Sequence, residues 1–196
     1  LAGEYDELVL PLFGQHQAQN LALAVAAVES FLGDGQQPLD PELLREAVAG
    51  MTAPGRLEVV RRSPTVVVDS AHNPHGMETL ARALEESFTF ARLVGLVAVF
   101  EDKDAEAMLS ALGAAVDHVV VTRNSSPRSL APEALGRLAR EVLGDDMVTV
   151  VENLPDAVDL AGALADEGGV SGGVIATGSI HTAADVRMVL GTTDVA

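Results

Sequence analysis

Apolar residues recur at helical spacing through the first fifty positions. Leu21, Val25, Val28 and Leu32 form one stripe of a helix predicted over residues 15–32, which Gly33 stops. Asp40-Pro41-Glu42 has the order of a helix start, with a side-chain cap, then proline, then an acid in the first turn. The stripe that follows is Leu43, Leu44, Ala47 and Val48, and Gly50 ends it. Thr52-Ala53-Pro54-Gly55 then breaks the pattern. This break predicts a helical segment over residues 1–52 and a different architecture over residues 53–196.

Beyond the break, short β-branched runs alternate with amphipathic stretches. Strands are predicted at 57–62 and 65–69, separated only by Ser63-Pro64, so they should pair as a hairpin. A helix follows, with Asn73 as cap and Pro74 in its first position, and a stripe of Met77, Leu80, Ala81, Leu84 and Phe88. Further strands at 93–99, 116–122, 147–151 and 174–177 alternate with helices. Those helices carry Met108, Leu109 and Leu112, then Leu135, Leu138 and Val142, then residues 155–165 and 182–190. Fully apolar strands between amphipathic helices predict an α/β fold, a mostly parallel six-stranded sheet covered on both faces. The two-residue hairpin link is too short for a parallel crossover, so it supplies the one antiparallel strand. The glycine cluster at residues 168–173 precedes a strand, whereas a phosphate cradle follows one, and it reads as a flexible loop.

Composition narrows the function. The chain has 196 residues, 48% of them hydrophobic, enough for one sizeable core and a small appendage. Twelve Lys and Arg against 29 Asp and Glu give a net charge of −17, with no basic run, no Trp, one Tyr and five Phe. Such a surface repels phosphate backbones and offers little to stack bases on, which argues against a nucleic-acid partner. The absence of cysteine excludes disulfides, thiol catalysis and cysteine zinc sites, and points to the cytoplasm. The longest apolar runs, residues 21–28 and 93–100, fall far short of the roughly 18–20 residues that span a bilayer, so no membrane partner is expected. Leu1-Ala2-Gly3-Glu4 lacks the basic start of a signal peptide. Lysine occurs once, at Lys103 in Glu101-Asp102-Lys103-Asp104, with no glycine before it, so no P-loop is complete here.

In open parallel sheets, ligands bind beyond the carboxyl ends of the strands. Those ends carry Asp69-Ser70-Ala71-His72-Asn73-Pro74-His75, then Asp102-Lys103-Asp104, then residues 123–128, then Gly178-Ser179-Ile180-His181-Thr182. Three of the five histidines and the only lysine therefore fall on one rim. Each group also has a plain reading. Asp69 reads equally as an anchor for the loop after it, Asn73 as a helix cap, Asp102-Lys103-Asp104 as a solvated helix start, and Arg56 as a surface arginine. His72 and His75 have Pro74 between them and no third ligand nearby, which argues against a metal site. Ser70 and Ser179 each stand two residues from a histidine, and that alone does not make a nucleophile. Gly14-Gln15-His16-Gln17 with Asn20 is a polar cluster at a helix start, suited to an anion or to ordinary capping.

Several clusters taken in order carry a resemblance: Gly14-Gln15-His16-Gln17-Ala18-Gln19-Asn20, Ala53-Pro54-Gly55-Arg56-Leu57-Glu58, Val68-Asp69-Ser70-Ala71-His72-Asn73-Pro74, Asp102-Lys103-Asp104 and Thr177-Gly178-Ser179-Ile180-His181-Thr182. Over essentially its whole length the chain resembles the C-terminal part of the folylpolyglutamate synthases, often bifunctional with dihydrofolate synthase, in the Mur ligase superfamily. The Asp-Ser-Ala-His-Asn-Pro element favours these folate enzymes over the peptidoglycan ligases. The resemblance implies a Rossmann-like C-terminal domain over residues 53–196. Residues 1–52 would be the helical tail of an N-terminal ATPase domain, itself a partner. The P-loop, the magnesium ligands and the lysine carbamylated in many relatives are missing, which fits a fragment or an excised domain, inactive alone.

The chemistry implied is ATP-dependent amide formation, with Mg2+ held by the absent domain and no metal ligand in this piece. A folate or dihydropteroate carboxylate is phosphorylated, L-glutamate attacks the acyl phosphate, and phosphate leaves. By the same resemblance Asn20, Arg56 and Asp69 contact ATP, with Arg56 on the transferring phosphoryl group. His72, Ser179 and His181 handle the incoming glutamate or shape the closed cleft, and His72 joins Arg56 as a catalytic candidate. Two other readings stay open. One is a Mur-type ligase with a different acid and amino acid. The other is a non-catalytic receiver-like module, although receivers need a lysine late in the fold and none follows Lys103.

Overall fold

Asp40 begins the local order of the first unit: its Oδ1 accepts from Glu42 N at 2.9 Å and Leu43 N at 3.2 Å, capping helix α2 (Pro41–Ala49). The computed structural model describes residues 2–192, which divide into two units between Ala53 and Pro54. The first unit holds α1 (Gln15–Gly33) and α2. On α1 the expected stripe is only partly covered, because Val25 and Glu29 are the buried positions while Val28 and Leu32 are exposed. What covers α1 here is polar as well as apolar. Glu29 accepts from Tyr5 Oη and, at 2.7 Å, from Ala2 N, and Leu39 N donates to Tyr5 Oη at 2.7 Å. The Tyr5 hydrogen bond holds the Glu29 carboxyl below its ordinary range, and burial holds the Tyr5 hydroxyl above its own. Val28, with Leu43, Leu44 and Met51, lines an open groove of about 380 Å³.

The second unit runs through β1 (Glu58–Arg62), β2 (Thr65–Val68), α3 (Pro74–Ser87), β3 (Arg92–Val97), α4 (Ala105–Gly113), β4 (His118–Val121), α5 (Pro132–Leu143), β5 (Val148–Val150), α6 (Leu154–Asp166), β6 (Gly172–Thr177) and α7 (Ile180–Val189). The strands form one sheet in the order β1-β2-β6-β3-β4-β5. Only β1 pairs antiparallel, as the short hairpin requires. The alternation of strand side chains sorts them onto two cores. Val67, Val97, Val119, Val121 and Ile175 pack with Met77, Leu80, Met108, Leu112 and Leu135 of α3, α4 and α5. Val66, Val68, Val94, Leu96, Val120 and Val174 pack with Val158, Ala161, Ala183 and Val186 of α6 and α7. Helices therefore cover both faces.

Three local expectations need correction. The glycine cluster is not a flexible loop: residues 169–171 form a 3-10 turn, and Gly172 and Gly173 open β6 and are buried. A Cβ at Gly172 would stand 1.9 Å from Ala165 O, and one at Gly173 would stand 2.4 Å from the Phe90 ring. Those glycines let a helix end and a ring close onto the strand. Strand β3 stops at Val97, two residues early, although Ala98 N still donates to Thr177 O at 3.3 Å and Val99 O accepts from Leu130 N at 2.9 Å. Helix α7 starts at Ile180 rather than Thr182, because Ser179 supplies its cap.

Candidate functional site

The carboxyl ends of β2, β3, β4 and β6 share one rim. The loop before β1 reaches this rim through two residues with positive φ, Gly55 at +71° and Leu57 at +45°. A buried leucine in that region is strained. It is held there because Leu57 N donates to Asp69 Oδ2 at 2.9 Å. Asp69 Oδ1 accepts from Ala71 N at 2.8 Å, and Asp69 N donates to Ala176 O at 2.9 Å. Ser70 donates to Gly55 O twice, through N at 2.9 Å and Oγ at 3.0 Å. Gly55 N donates to Glu58 Oε2 at 2.8 Å, and Glu58 Oε1 pairs with Arg187. Arg56 thus sits on a backbone fastened on both sides. Its side chain is exposed, and its guanidinium has no hydrogen-bond or ion-pair partner among the described residues.

The next loop brings His72. Its Nδ1 lies 3.0 Å from Ser70 O, and a carbonyl only accepts, so Nδ1 carries the proton. In the neutral ring Nε2 is then free to accept. Asn73 caps α3, with Gly76 N donating to its Oδ1 at 2.8 Å. Gly178 N donates to Ala71 O at 3.1 Å, which ties the last loop to the one bearing His72. Gly178 has φ +106°, and a Cβ there would stand 2.5 Å from Ala98 O. Ser179 is buried, and its Oγ accepts from His181 N at 3.1 Å as the α7 cap.

His181 is exposed, with its ring centroid 5.5 Å from that of Phe100. The same Phe100 ring carries Arg128, its guanidinium carbon 4.7 Å from the centroid. Asp102 bonds Arg128 at 2.7 Å and Lys103 at 3.2 Å. Arg128 first, and Lys103 after it, hold the Asp102 carboxyl below the ordinary range. Asp104 is the cap of α4, accepting from Ala107 N at 3.0 Å.

Of the sequence-derived candidates, Arg56, Asp69, His72 and Ser179 lie on directly linked rim loops, and His181 lies on the same rim at the start of α7. Asn20 belongs to the first unit, in the second turn of α1, where its Nδ2 donates to Gln17 Oε1 at 3.3 Å. Gly14, the cap of α1, makes no side-chain capping bond. The sequence reading missed a buried polar network. Asn124 Nδ2 donates to Thr182 Oγ1 at 3.0 Å, and Thr182 Oγ1 donates to Ala98 O at 2.8 Å. Asp185 accepts from Ser125 N at 2.7 Å and Ser125 Oγ at 2.9 Å. One signal was available: Thr182 and Asp185 interrupt the apolar face that Ala183 and Val186 mark on the last helix. Among the described residues no group of three or more His, Cys, Asp or Glu side chains is gathered as a metal needs.

Residues 55–180 match the family model described as Mur ligase, glutamate ligase domain. The chain is 46% identical to dihydrofolate synthase/folylpolyglutamate synthase of Mycobacterium tuberculosis, over 97% of this chain and 42% of that protein. A solved structure of the Mycobacterium tuberculosis folylpolyglutamate synthase complexed with ADP and AMPPCP superposes with a TM-score of 0.91, covering 95% of this chain and 42% of the other at 46% identity. A bifunctional folylpolyglutamate synthase/dihydrofolate synthase with Mn, AMPPNP and L-glutamate bound superposes at 0.74 and 28% identity, covering 94% of this chain and 41% of the other. The chain therefore spans about two fifths of the length of the relatives it matches.

Proposed function

Since the chain belongs to the Mur ligase family as its glutamate ligase domain, we propose that it is the C-terminal domain of an ATP-dependent ligase that adds L-glutamate to folates, and to dihydropteroate where the parent enzyme is bifunctional. The residues up to 52 are then the helical tail of an ATPase domain supplied by a longer polypeptide. The open apolar groove between α1 and α2 supports that reading. ATP supplies the phosphoryl group that activates the acceptor carboxylate. Asn20 on the first unit, and Arg56 and Asp69 on the second, are the residues we assign to ATP. Mg2+ is assigned to ligands outside these residues, since among the described residues no set of His, Asp or Glu side chains is gathered to hold it. L-Glutamate, as an amine nucleophile with two carboxylates, is assigned to His72, Ser179 and His181. His72 Nε2 has the acceptor character to take an ammonium hydrogen bond. We assign the protein to the cytoplasm, and its partners are these small molecules rather than a membrane or nucleic acid. Among the described residues no helix is long and apolar enough to cross a membrane.

One observation carries the proposal furthest. In a chain of net charge −17, Arg56 is an exposed cation without a partner among the described residues, on a loop fastened by Asp69, Ser70 and Glu58. A guanidinium set out in this way suits a phosphoryl group, whose oxygens its two prongs match. In the full-length ligase, Arg56→Ala should lower kcat by about 10²–10³ without changing the melting temperature. Arg56→Lys should rescue poorly, since an ammonium lacks the fork. A kcat and ATP KM both within about twofold of wild type would reduce Arg56 to a surface residue.

A further inference from the structure

The loop after β4 is more heavily fastened than its exposed position demands. Ser125 gives both its N–H and its hydroxyl to Asp185. Asn124 bonds Thr182 through Nδ2 and takes Ser126 N on Oδ1 at 3.1 Å. From there the bonds continue without a gap: Arg128 N to Ser126 Oγ at 3.3 Å, Ser129 N to Ser126 O at 3.0 Å, and Glu101 N to Arg128 O at 3.0 Å. Asp185, Asn124 and Thr182 are all buried. An apolar residue of the same size would hold helix to loop as well, without the cost of burying a carboxylate. What the carboxylate adds is direction, because two donors of one residue fix how the loop leaves the helix.

Asp185 stands one helical turn beyond His181, so the two share a face of α7. The helix that Asp185 fastens carries His181, and the loop it fastens carries Arg128. These two side chains meet on one ring, Phe100. We propose that Asp185 is a positioning residue for amino-acid binding: by holding Ser125 it sets the placement of Arg128 relative to His181, and so the fit of a carboxylate of the incoming amino acid between them. This rests on the glutamate-ligase reading. Arg128 suits the task because it is a fork-shaped cation still 62% exposed after pairing with Asp102.

The test is steady-state kinetics of the full-length ligase, with KM measured separately for L-glutamate, ATP and the folate. Asp185→Ala should raise the glutamate KM about tenfold or more and leave the ATP KM within about twofold. Asp185→Asn should keep part of the affinity, because its amide oxygen still accepts from Ser125 N. Arg128→Ala should raise the glutamate KM too, and adding Asp185→Ala to it should change little further, since one acts through the other. If Asp185→Ala fails to fold, Ser125→Ala removes one of the two donors and should shift the glutamate KM alone. Equal shifts in all three KM values, additive effects with Arg128→Ala, or an unchanged glutamate KM would each overturn the positioning role. A wild-type enzyme without glutamate-dependent turnover would instead defeat the ligase reading itself.

Discussion

Leu57 holds a backbone conformation that its own side chain disfavours, and the Asp69 carboxylate keeps it there. The same carboxylate fixes Ala71, so a single side chain fastens both the Arg56 loop and the His72 loop. Asp69→Ala would leave two buried N–H groups without an acceptor and release the leucine. It should cost at least about 2 kcal/mol by urea unfolding, and Asp69→Asn should cost less because one acceptor survives. A loss below about 0.5 kcal/mol would mean that the loops hold without it. Gly178 makes a second demand on a single residue. With φ +106° and Ala98 O 2.5 Å from where a Cβ would stand, Gly178→Ala adds strain and collision together. We expect a loss of about 2 kcal/mol or more, and fluorescence-monitored melting would show whether a methyl is tolerated.

Among the elements, β4 carries a titratable group whose environment opposes its charge. His118 is partly buried, and burial first, with Arg92 nearby, lowers its affinity for a proton. Its Nε2 lies 2.9 Å from Thr149 Oγ1 on β5. The unfolded chain takes up that proton near pH 6.5 while the folded one resists it. This share of stability is therefore present at neutral pH and is lost as the pH falls through that region. His118→Gln should make the drop in urea midpoint between about pH 7 and pH 5.5 smaller than in wild type; an equal drop would exclude this ring as a cause. The strands themselves were legible from their letters, because burial on both faces leaves unbroken apolar runs such as Val66-Val67-Val68 and Val119-Val120-Val121. The start of β6 was not, since glycines carry no pattern and their packing against Ala165 and Phe90 is set by distant chain. The α1 stripe was legible as a helix but not as a surface. The rim loops could be read as strand ends, and Asp69 and His72 with them. Asp185 could not be paired with Ser125 from spacing, because 60 residues separate them. Ser179 was legible as a rim residue, yet its capping role moves the helix start two residues earlier.

At the scale of the whole molecule, the one lysine lies 3.2 Å from Asp102, and no glycine precedes it in Glu101-Asp102-Lys103. Phosphoryl transfer needs a backbone cradle, a lysine and a metal set. The purified 196-residue chain should therefore neither hydrolyse ATP nor ligate glutamate. Turnover proportional to its concentration and surviving repurification would refute the proposal that the ATPase machinery lies on a longer polypeptide. The place of β6 between β2 and β3 has a separate consequence. A ribosome delivers β2 and β3 about a hundred residues and seventy-five residues, respectively, before the strand that joins them. Throughout that interval the backbone N–H and C=O groups that β2 and β3 will give to β6 lack that partner and can pair with another nascent chain. Stalled chains ending just before Gly172 should be cut readily by added protease and bound by general chaperones, whereas chains extended past Val189 from the exit tunnel should resist. The vulnerable period of this protein's life is written into the order of its strands.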